Sequence, residues 1–388
     1  MLNQPLHVLH VIEAFGGGAL TALLCLCQSA RQEIRHSIAH GLRPETPPDF
    51  ARMFSPDTRF HGIRMRRVIH FMKDSAALWE LIALIRACKP DIVHCHSSKA
   101  GVLGRLAARI CSVPSVYTPH GYSFLRTDIA KTEKQFYRAV EWIFSRIGDA
   151  IAACGDEEYA LARALGVPER DVRLIRNAVD CDALNAVAPY DWNLQLPVAG
   201  ICGRFTMQRR PDLFLALAER LQSDTAWVWI GGADEQRALP VFIKMTPWLL
   251  REEALARVAG LDIYVQTSSW EGLSYGILEA MALGKPVVAC DIPSNRAIVE
   301  HGVTGFLGAT ADDLARFISL LACDPLLRET MGEAARKHIA KRHDIKTAYL
   351  SYTELYHDLA AHKNGKRRMG GMRFFTMPGS DTDGMKRG

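Results

Sequence analysis

What most constrains this chain is an alternation that runs through it twice. Short, almost continuous apolar segments are each followed by a turn and then by a segment of helical spacing. In the first half these pairs are "LHVLHVI" (6–12) with a helix from about Ala19, "DIVHCHS" (91–97) with "KAGVLGRLAARI", "SVYTPHG" (115–121) with a helix over about 129–147, and "AIAACG" (150–155) with "DEEYALARAL". Strands this apolar are buried on both faces, as in a parallel sheet covered by helices. The pattern loosens over "CDALNAVAPYDWNLQL" (181–196) and then resumes with "PVAGICGRF", a helix from about 211, "AWVWIGG", a helix around 251–258, "DIYVQTS", a further helix and "PVVAC". The expectation is an α/β protein of two doubly wound, Rossmann-like domains, residues 1–182 and 183–343, facing one cleft. A helix over 344–362 crosses back to the first domain, and a basic tail, 363–388, lacks the apolar periodicity needed for order. Ligands of such sheets bind outside the carboxyl ends of the strands.

Composition narrows the class. The chain has 388 residues, 48% hydrophobic and 23% charged, enough for two globular cores. A formal charge of +5 permits an anionic substrate or surface and does not call for nucleic acid. The opening "MLNQPLHVLHVIEAFGGG" lacks the basic start and apolar core of a signal peptide, and no run is long and apolar enough to span a bilayer. A cytoplasmic location is therefore expected. The ten cysteines include no C-x-x-C pair and read as reduced core thiols. In "DIVHCHSS", successive strand residues point to opposite faces. His94 and His96 can share a face, but the sequence shows no third metal ligand for them.

Chemistry-bearing residues cluster after the strands. In "EGLSYGILEAMALGKPVVAC" (271–290), Ser274 is placed to cap a helix through its hydroxyl. Ile277, Leu278, Met281 and Ala282 recur at helical spacing, and Gly284 and Pro286 end the helix. A helix this apolar is buried, and an unpaired buried carboxylate is costly, so Glu279 faces either a cleft or a buried partner. "FGGG" after the first strand puts Gly16, Gly17 and Gly18 where backbone amides approach a ligand beside a helix start. It does not fit G-x-G-x-x-G, since Thr21 stands at the last position. Arg204 follows the first strand of the second half, and Arg209 and Arg210 open the next helix, where cations oppose the dipole and so suggest an anionic partner. For Arg210 a solvated surface role is the simpler reading.

Taken together these segments resemble glycosyltransferase family 4. "EGLSYGILEAMALGKPVVA" is similar to that family's donor-site motif of two glutamates separated by seven residues. "GRFTMQRRPD" is similar to its G-R…K-G…D segment, and "FGGG" and "TPHG" sit where its N-terminal loops do. The resemblance covers about residues 6–360 and implies a GT-B fold and retaining transfer of a sugar from a nucleotide-diphosphate sugar. By motif position, Glu279 would bind the donor ribose and be left unpaired in the empty cleft, and Glu271 would contact the donor sugar near the reacting carbon. Arg204 and Arg209 would neutralise the leaving diphosphate, helped by the amides of Leu273, Ser274 and Tyr275. His120 would reach the transferred sugar, and Gly17 and Gly18 would line the phosphate side. Three departures stand out. Arg209 replaces the usual lysine, Ser274 replaces a frequent glycine, and "GGADEQRALPVFIKMTPWLL" looks too short to hold the strand that brackets the base.

No cofactor or metal is expected. An Asp-x-Asp formed by Asp381 and Asp383 lies in the tail rather than at a strand end, and arginine supplies the positive charge. "HGIRMRRVIHFMKD" and "KTEKQFYRAVEWIFSRI" set basic residues beside Ile69, Phe71, Met72, Phe136 and Trp142, which suits an anionic membrane surface; for the second stretch a solvated helix explains the pattern equally well. The family resemblance implies a polyprenyl-diphosphate-linked glycan acceptor, bacterial polysaccharide assembly and a peripheral place at the inner face of the cytoplasmic membrane. The competing readings are a nucleotide-sugar 2-epimerase of the same fold, and a non-catalytic protein that binds sugar nucleotides or nucleic acid.

Overall fold

The computed structural model describes residues 5–13, 15–29, 33–43, 46–232 and 240–368. The first domain runs β1 (Leu6–Ile12), α1 (Gly17–Ser29), β2 (Ile34–His40), β3 (Arg59–Gly62), α2 (Phe71–Cys88), β4 (Ile92–His96), α3 (Ser98–Ile110), β5 (Ser115–Thr118), α4 (Lys131–Phe144), β6 (Ala150–Ala153), α5 (Asp156–Ala164) and β7 (Val172–Leu174). Its strands are all parallel, in the order β3-β2-β1-β4-β5-β6-β7. A short helix, α6 (Cys181–Asn185), lies in the connection. The second domain follows as β8 (Val198–Cys202), α7 (Pro211–Leu221), β9 (Ala226–Ile230), β10 (Ile243–Met245), α8 (Arg251–Ala259), β11 (Ile263–Gln266), α9 (Tyr275–Ala282), β12 (Val287–Cys290), α10 (Pro293–Arg296), β13 (Gly305–Gly308), α11 (Ala311–Cys323) and α12 (Pro325–Arg342). Its sheet is also parallel, ordered β10-β9-β8-β11-β12-β13. These are the two doubly wound sheets of a GT-B fold. The strand order reverses between β1 and β4 in one and between β8 and β11 in the other, and such reversals open the crevice where ligands sit.

The sheets form because their strands are apolar on both faces. β4, β5, β6 and β11 are buried throughout, and Trp227 and Trp229 of β9 pack edge-on against Phe214 of α7. One apolar cluster links Val8 of β1, Ile277 of α9 and Tyr356 of the last helix, α13 (Ile345–Arg368), so the halves share a core. Helix α13 lies against α1 and β4 of the first domain.

Several elements differ from expectation. β2 is a central strand although it reads "IRHSIAH"; the polar side chains of His36, Ser37 and His40 are nonetheless buried. β10 is present and pairs with β9 from Ile243 to Met245, so the strand that the short segment seemed to lack exists as three residues at the sheet edge. α13 continues to Arg368, six residues into the stretch expected to lack order, because extending an existing helix needs no new nucleus. Asp381 and Asp383 lie outside the described residues. No helix among the described residues is long and apolar enough to cross a membrane.

Candidate active site

A cleft of about 340 Å³ opens where the two strand-order reversals face each other. Gly17, Gly18, His120, Arg204, Arg209, Glu271, Leu273, Ser274, Tyr275 and Glu279 all line it. The second domain supplies the charged wall. Arg204 and Arg209 follow β8; Glu271 lies in the loop after β11, and Glu279 is on α9. Gly203, at φ +137°, leaves room for the Arg209 guanidinium: a Cβ there would lie 2.6 Å from its Cζ. Burial opposes the Arg209 charge, yet Glu271 and Tyr264 beside it hold its pKa above the ordinary value.

Gln266, at the end of β11, is the hub of this wall and is fully buried. Its Oε1 accepts from Arg209 (3.3 Å) and from the Tyr264 hydroxyl (3.3 Å), and its Nε2 donates to Glu271 (3.1 Å) and to the Ser268 and Ser274 hydroxyls (3.0 and 3.3 Å). Glu271 accepts in addition from Ser268 Oγ at 2.8 Å and from Gln208 Nε2 at 3.2 Å. Neutral donors on both oxygens fix its orientation without cancelling its charge. Ser274 does occupy the N-cap position of α9, but its hydroxyl makes no cap bond; Gln266 has taken it. The amides at the start of α9 are left facing the cleft without intrahelical acceptors, a ready anion site.

Glu279 overturns one expectation. It is not unpaired: Arg251, the first residue of α8, forms an ion pair with Glu279 Oε1 and donates to Thr21 Oγ1 of α1 at 3.3 Å. An isolated carboxylate in a largely apolar helix is too costly, and the folded chain brings a guanidinium to it. Burial opposes the charge of Arg251, and Glu279 more than restores it, leaving its pKa above the ordinary value. Arg210 pairs with Asp212 at 3.0 Å near the surface, outside the cleft.

The first domain closes the other side. His120 sits at φ +53°, a left-handed conformation that costs a non-glycine residue energy and collects at functional sites. The loop is held by Glu158, whose buried carboxylate accepts from the Gly121 amide at 2.5 Å and from the Cys154 amide at 3.0 Å. Gly121 and Gly272 bring the two domains into backbone contact: a Cβ on Gly272 would lie 2.8 Å from the Gly121 nitrogen. Asn177 Nδ2 donates to the Leu273 carbonyl at 2.9 Å across the same junction. Burial pushes the His120 imidazole down to about 4.

Behind His120 lies a group of buried histidines that the sequence only hinted at. The third partner for His94 and His96 is His10 of β1. His10, His94 and His96 are close enough to hold an ion, as are His10, Cys27 and His36, but all six ring nitrogens of the first three are engaged in hydrogen bonds. Gln266, Gln208, Arg251, Asn177, His10 and His36 escaped the sequence reading. The available signal was a polar residue inside an apolar strand, as in "DIYVQTS" and "LHVLHVI".

Comparison with known proteins agrees with this fold. Residues 15–178 match the family described as glycosyl transferase 4-like domain, and residues 186–338 match glycosyl transferases group 1. A UDP-Gal:alpha-D-GlcNAc-diphosphoundecaprenol alpha-1,3-galactosyltransferase from Escherichia coli is 28% identical over 323 residues, 76% of this chain and 83% of its own. Among solved structures, a sucrose-phosphate synthase from Thermosynechococcus elongatus aligns with a TM-score of 0.78 at 18% identity, over 92% of this chain and 100% of the other. Anabaena Alr3699/HepE in complex with UDP-glucose aligns with a TM-score of 0.74 at 17% identity, over 91% and 99%.

Proposed function

Because the chain belongs to the GT4-type glycosyltransferases, nucleotide-sugar-dependent enzymes of GT-B fold, we propose that it moves a hexose from a UDP-sugar, with retention, to a polyprenyl-diphosphate-linked glycan in bacterial polysaccharide assembly. The observation that carries this reading is the convergence of Arg204, Arg209 and the amide-bearing start of α9 on one cleft, which Glu271 lines from the second domain and His120 from the first. Bond breaking builds negative charge on the diphosphate and positive charge on the sugar. Arginines and amides already in place stabilise the first without reorganising, and Glu271 faces the second. Glu279, oriented by Arg251, takes the ribose hydroxyls. The choice of uridine and of a lipid-linked acceptor is supported by the Escherichia coli relative, whose name specifies both.

No metal is needed in this scheme, since two guanidiniums supply the charge that a divalent ion supplies elsewhere. The acceptor side also carries a surface suited to an anionic bilayer. Val68, Ile69, Phe71 and Met72 are exposed among Arg64, Arg66, Arg67 and Lys73, and Phe136 and Trp142 are exposed on α4 beside Lys131 and Arg138. Just ahead of α4, Arg126 forks onto the Asp128 carboxylate at 3.0 and 2.8 Å and holds it below its ordinary pKa, with a smaller contribution from Arg67 of the first stretch.

The test is transfer from a panel of UDP-hexoses to a short-chain polyprenyl-diphosphate N-acetylglucosamine, with the anomeric configuration of the product read by NMR. An inverted linkage would remove the retaining mechanism, and turnover only with acceptors lacking the lipid diphosphate would remove the acceptor assignment. Sedimentation with phosphatidylglycerol but not phosphatidylcholine vesicles, lost in Phe71→Ser, is expected for the membrane surface. Equal sedimentation with both would reject it.

A further inference from the structure

Four histidines from four different segments form one hydrogen-bonded line that runs from the interior to the cleft. His36 Nδ1 meets His10 Nε2 at 2.9 Å, His10 Nδ1 meets His96 Nε2 at 3.0 Å, and His96 Nδ1 meets His120 Nε2 at 3.0 Å. His10 and His96 are buried completely or nearly so, and His36 is 6% exposed. Each link uses one nitrogen from each ring, so the rings are threaded head to tail. His120 is the member that lines the cleft, and among the described residues its Nδ1 has no protein partner.

A neutral imidazole carries one N–H and one lone pair, so each link needs a donor on one side and an acceptor on the other. In a neutral chain this leaves two arrangements. Either every N–H points inward, and His36 Nε2 ends the line with a proton, or every N–H points outward, and His120 Nδ1 ends it with a proton. The buried end decides between them. His36 Nε2 has no hydrogen-bond partner among the described residues. An orphaned buried N–H is rarer and costlier than an orphaned lone pair. The outward arrangement puts the lone pair at the orphaned end and the proton in the cleft.

We propose that His36, His10 and His96 form a positioning relay that holds His120 as the Nδ1–H tautomer, giving the cleft a fixed N–H donor for a hydroxyl oxygen of the transferred sugar. The second half of this statement rests on the reading of the cleft as a nucleotide-sugar site; the tautomer itself does not. The relay also explains why β1, β2 and β4 carry histidine in otherwise apolar positions, since each ring satisfies its neighbour. A group fixed in one tautomer favours a sugar that offers an acceptor there. A ring free to exchange tautomers would spend part of its time facing that oxygen with a lone pair.

The experiment labels the protein with ¹⁵N-histidine and reads the ring nitrogens of the unliganded chain by long-range ¹H–¹⁵N correlation, with the His120 signals assigned by their loss in His120→Asn. The expected result is a protonated Nδ1 and an unprotonated Nε2 on His120. An Nε2–H ring, or an even mixture, overturns the relay. Stoichiometric zinc in the purified protein also overturns it, because a metal ion takes the same lone pairs. His96→Leu should collapse the single tautomer and lower kcat at least tenfold while changing KM for the UDP-sugar less than twofold. His96→Asn, whose amide sits near the Nδ1 position and still donates, should recover most of the rate. Unchanged kcat in a folded His96→Leu overturns the positioning role, and should His96→Leu not fold, equal rates in His96→Asn and His96→Gln do so instead. If the wild type transfers no sugar at all, the assigned reaction fails while the tautomer measurement still decides the relay.

Discussion

The two walls of the cleft come from domains of the same architecture but are built on opposite electrostatic plans. The second domain uses charges held in place by a neutral hub: Gln266 joins Arg209 to Glu271, and Arg251 is paired with Glu279. The first domain uses neutral imidazoles that hold one another, from His36 through His10 and His96 to His120. Burial disfavours charge in both, yet the outcomes differ. A guanidinium cannot give up its proton, so it must be compensated by a nearby carboxylate; an imidazole escapes the penalty by staying neutral. The contrast fits the chemistry proposed for each wall, permanent positive charge beside a diphosphate and directional hydrogen bonding beside a sugar.

Acid should break the comparison most sharply, on the histidine side. Burial holds His7 and His36 down to about 4, against an ordinary value of 6.5. Between these values the unfolded chain takes up protons that the folded chain refuses. Their contribution is therefore complete above pH 6.5 and is lost as pH falls toward 4, about 3 kcal/mol at pH 4 for the enclosed His36 and less for His7, which solvent screens. His10, His94 and His96, lowered further, add to this. A domain stable by about 5–15 kcal/mol should unfold in that window. Denaturant midpoints measured from pH 7.5 to 4 test it; a flat profile would show that the imidazoles are not held neutral.

On the charged side, Arg209→Ala and Arg204→Ala should each lower kcat/KM by more than a hundredfold, about 3 kcal/mol of barrier. Arg209→Lys should lose much less, and wild-type initial rates should persist in excess EDTA. Abolition by chelator with recovery on added magnesium or manganese would transfer the role from the arginines to a metal.

The junction between the walls gives a smaller effect. Gly272→Ala pushes a methyl toward the Gly121 amide and the His120 carbonyl carbon, at 2.8 and 3.0 Å. A stability loss of about 1–3 kcal/mol is expected, with a fall in kcat as His120 is displaced. Thermal unfolding and kinetics on the same preparation test both; unchanged values would mean that the domains do not meet this closely in solution.

Smallest on binding is Glu279→Ala, which should weaken nucleoside diphosphate binding about tenfold, roughly 1.4 kcal/mol, slow turnover of bound donor little, and lower thermal stability because it leaves Arg251 without its carboxylate. Titration calorimetry with UDP decides it, and undiminished affinity would remove the ribose role.

Much of this was legible in the chain itself. The apolar segments "LHVLHVI", "DIVHCHS", "PVAGIC" and "DIYVQ" became β1, β4, β8 and β11, the four strands that flank the two reversals. The spacing from Glu271 to Glu279 was readable because a loop and one helix separate them, and local geometry sets their offset. β2 was not readable, since its histidines resemble a surface pattern until their partners are known. β10 was hidden by its length.

Sequence by itself determined the period of each segment, hence two parallel sheets, and the residue types that follow each strand, hence a cleft rich in arginine, glutamate and glycine. Both follow from short-range rules, the pleat of a strand and the pitch of a helix. Tertiary structure alone decided which group compensates which. Arg251 reaches Glu279 across 28 residues, and His10 reaches His96 across 86. These pairings depend on strand order, which places β1 beside β4, and on helix packing, which sets α8 against α9. A buried polar group must find a partner, but which one it finds is fixed only when distant segments share a core.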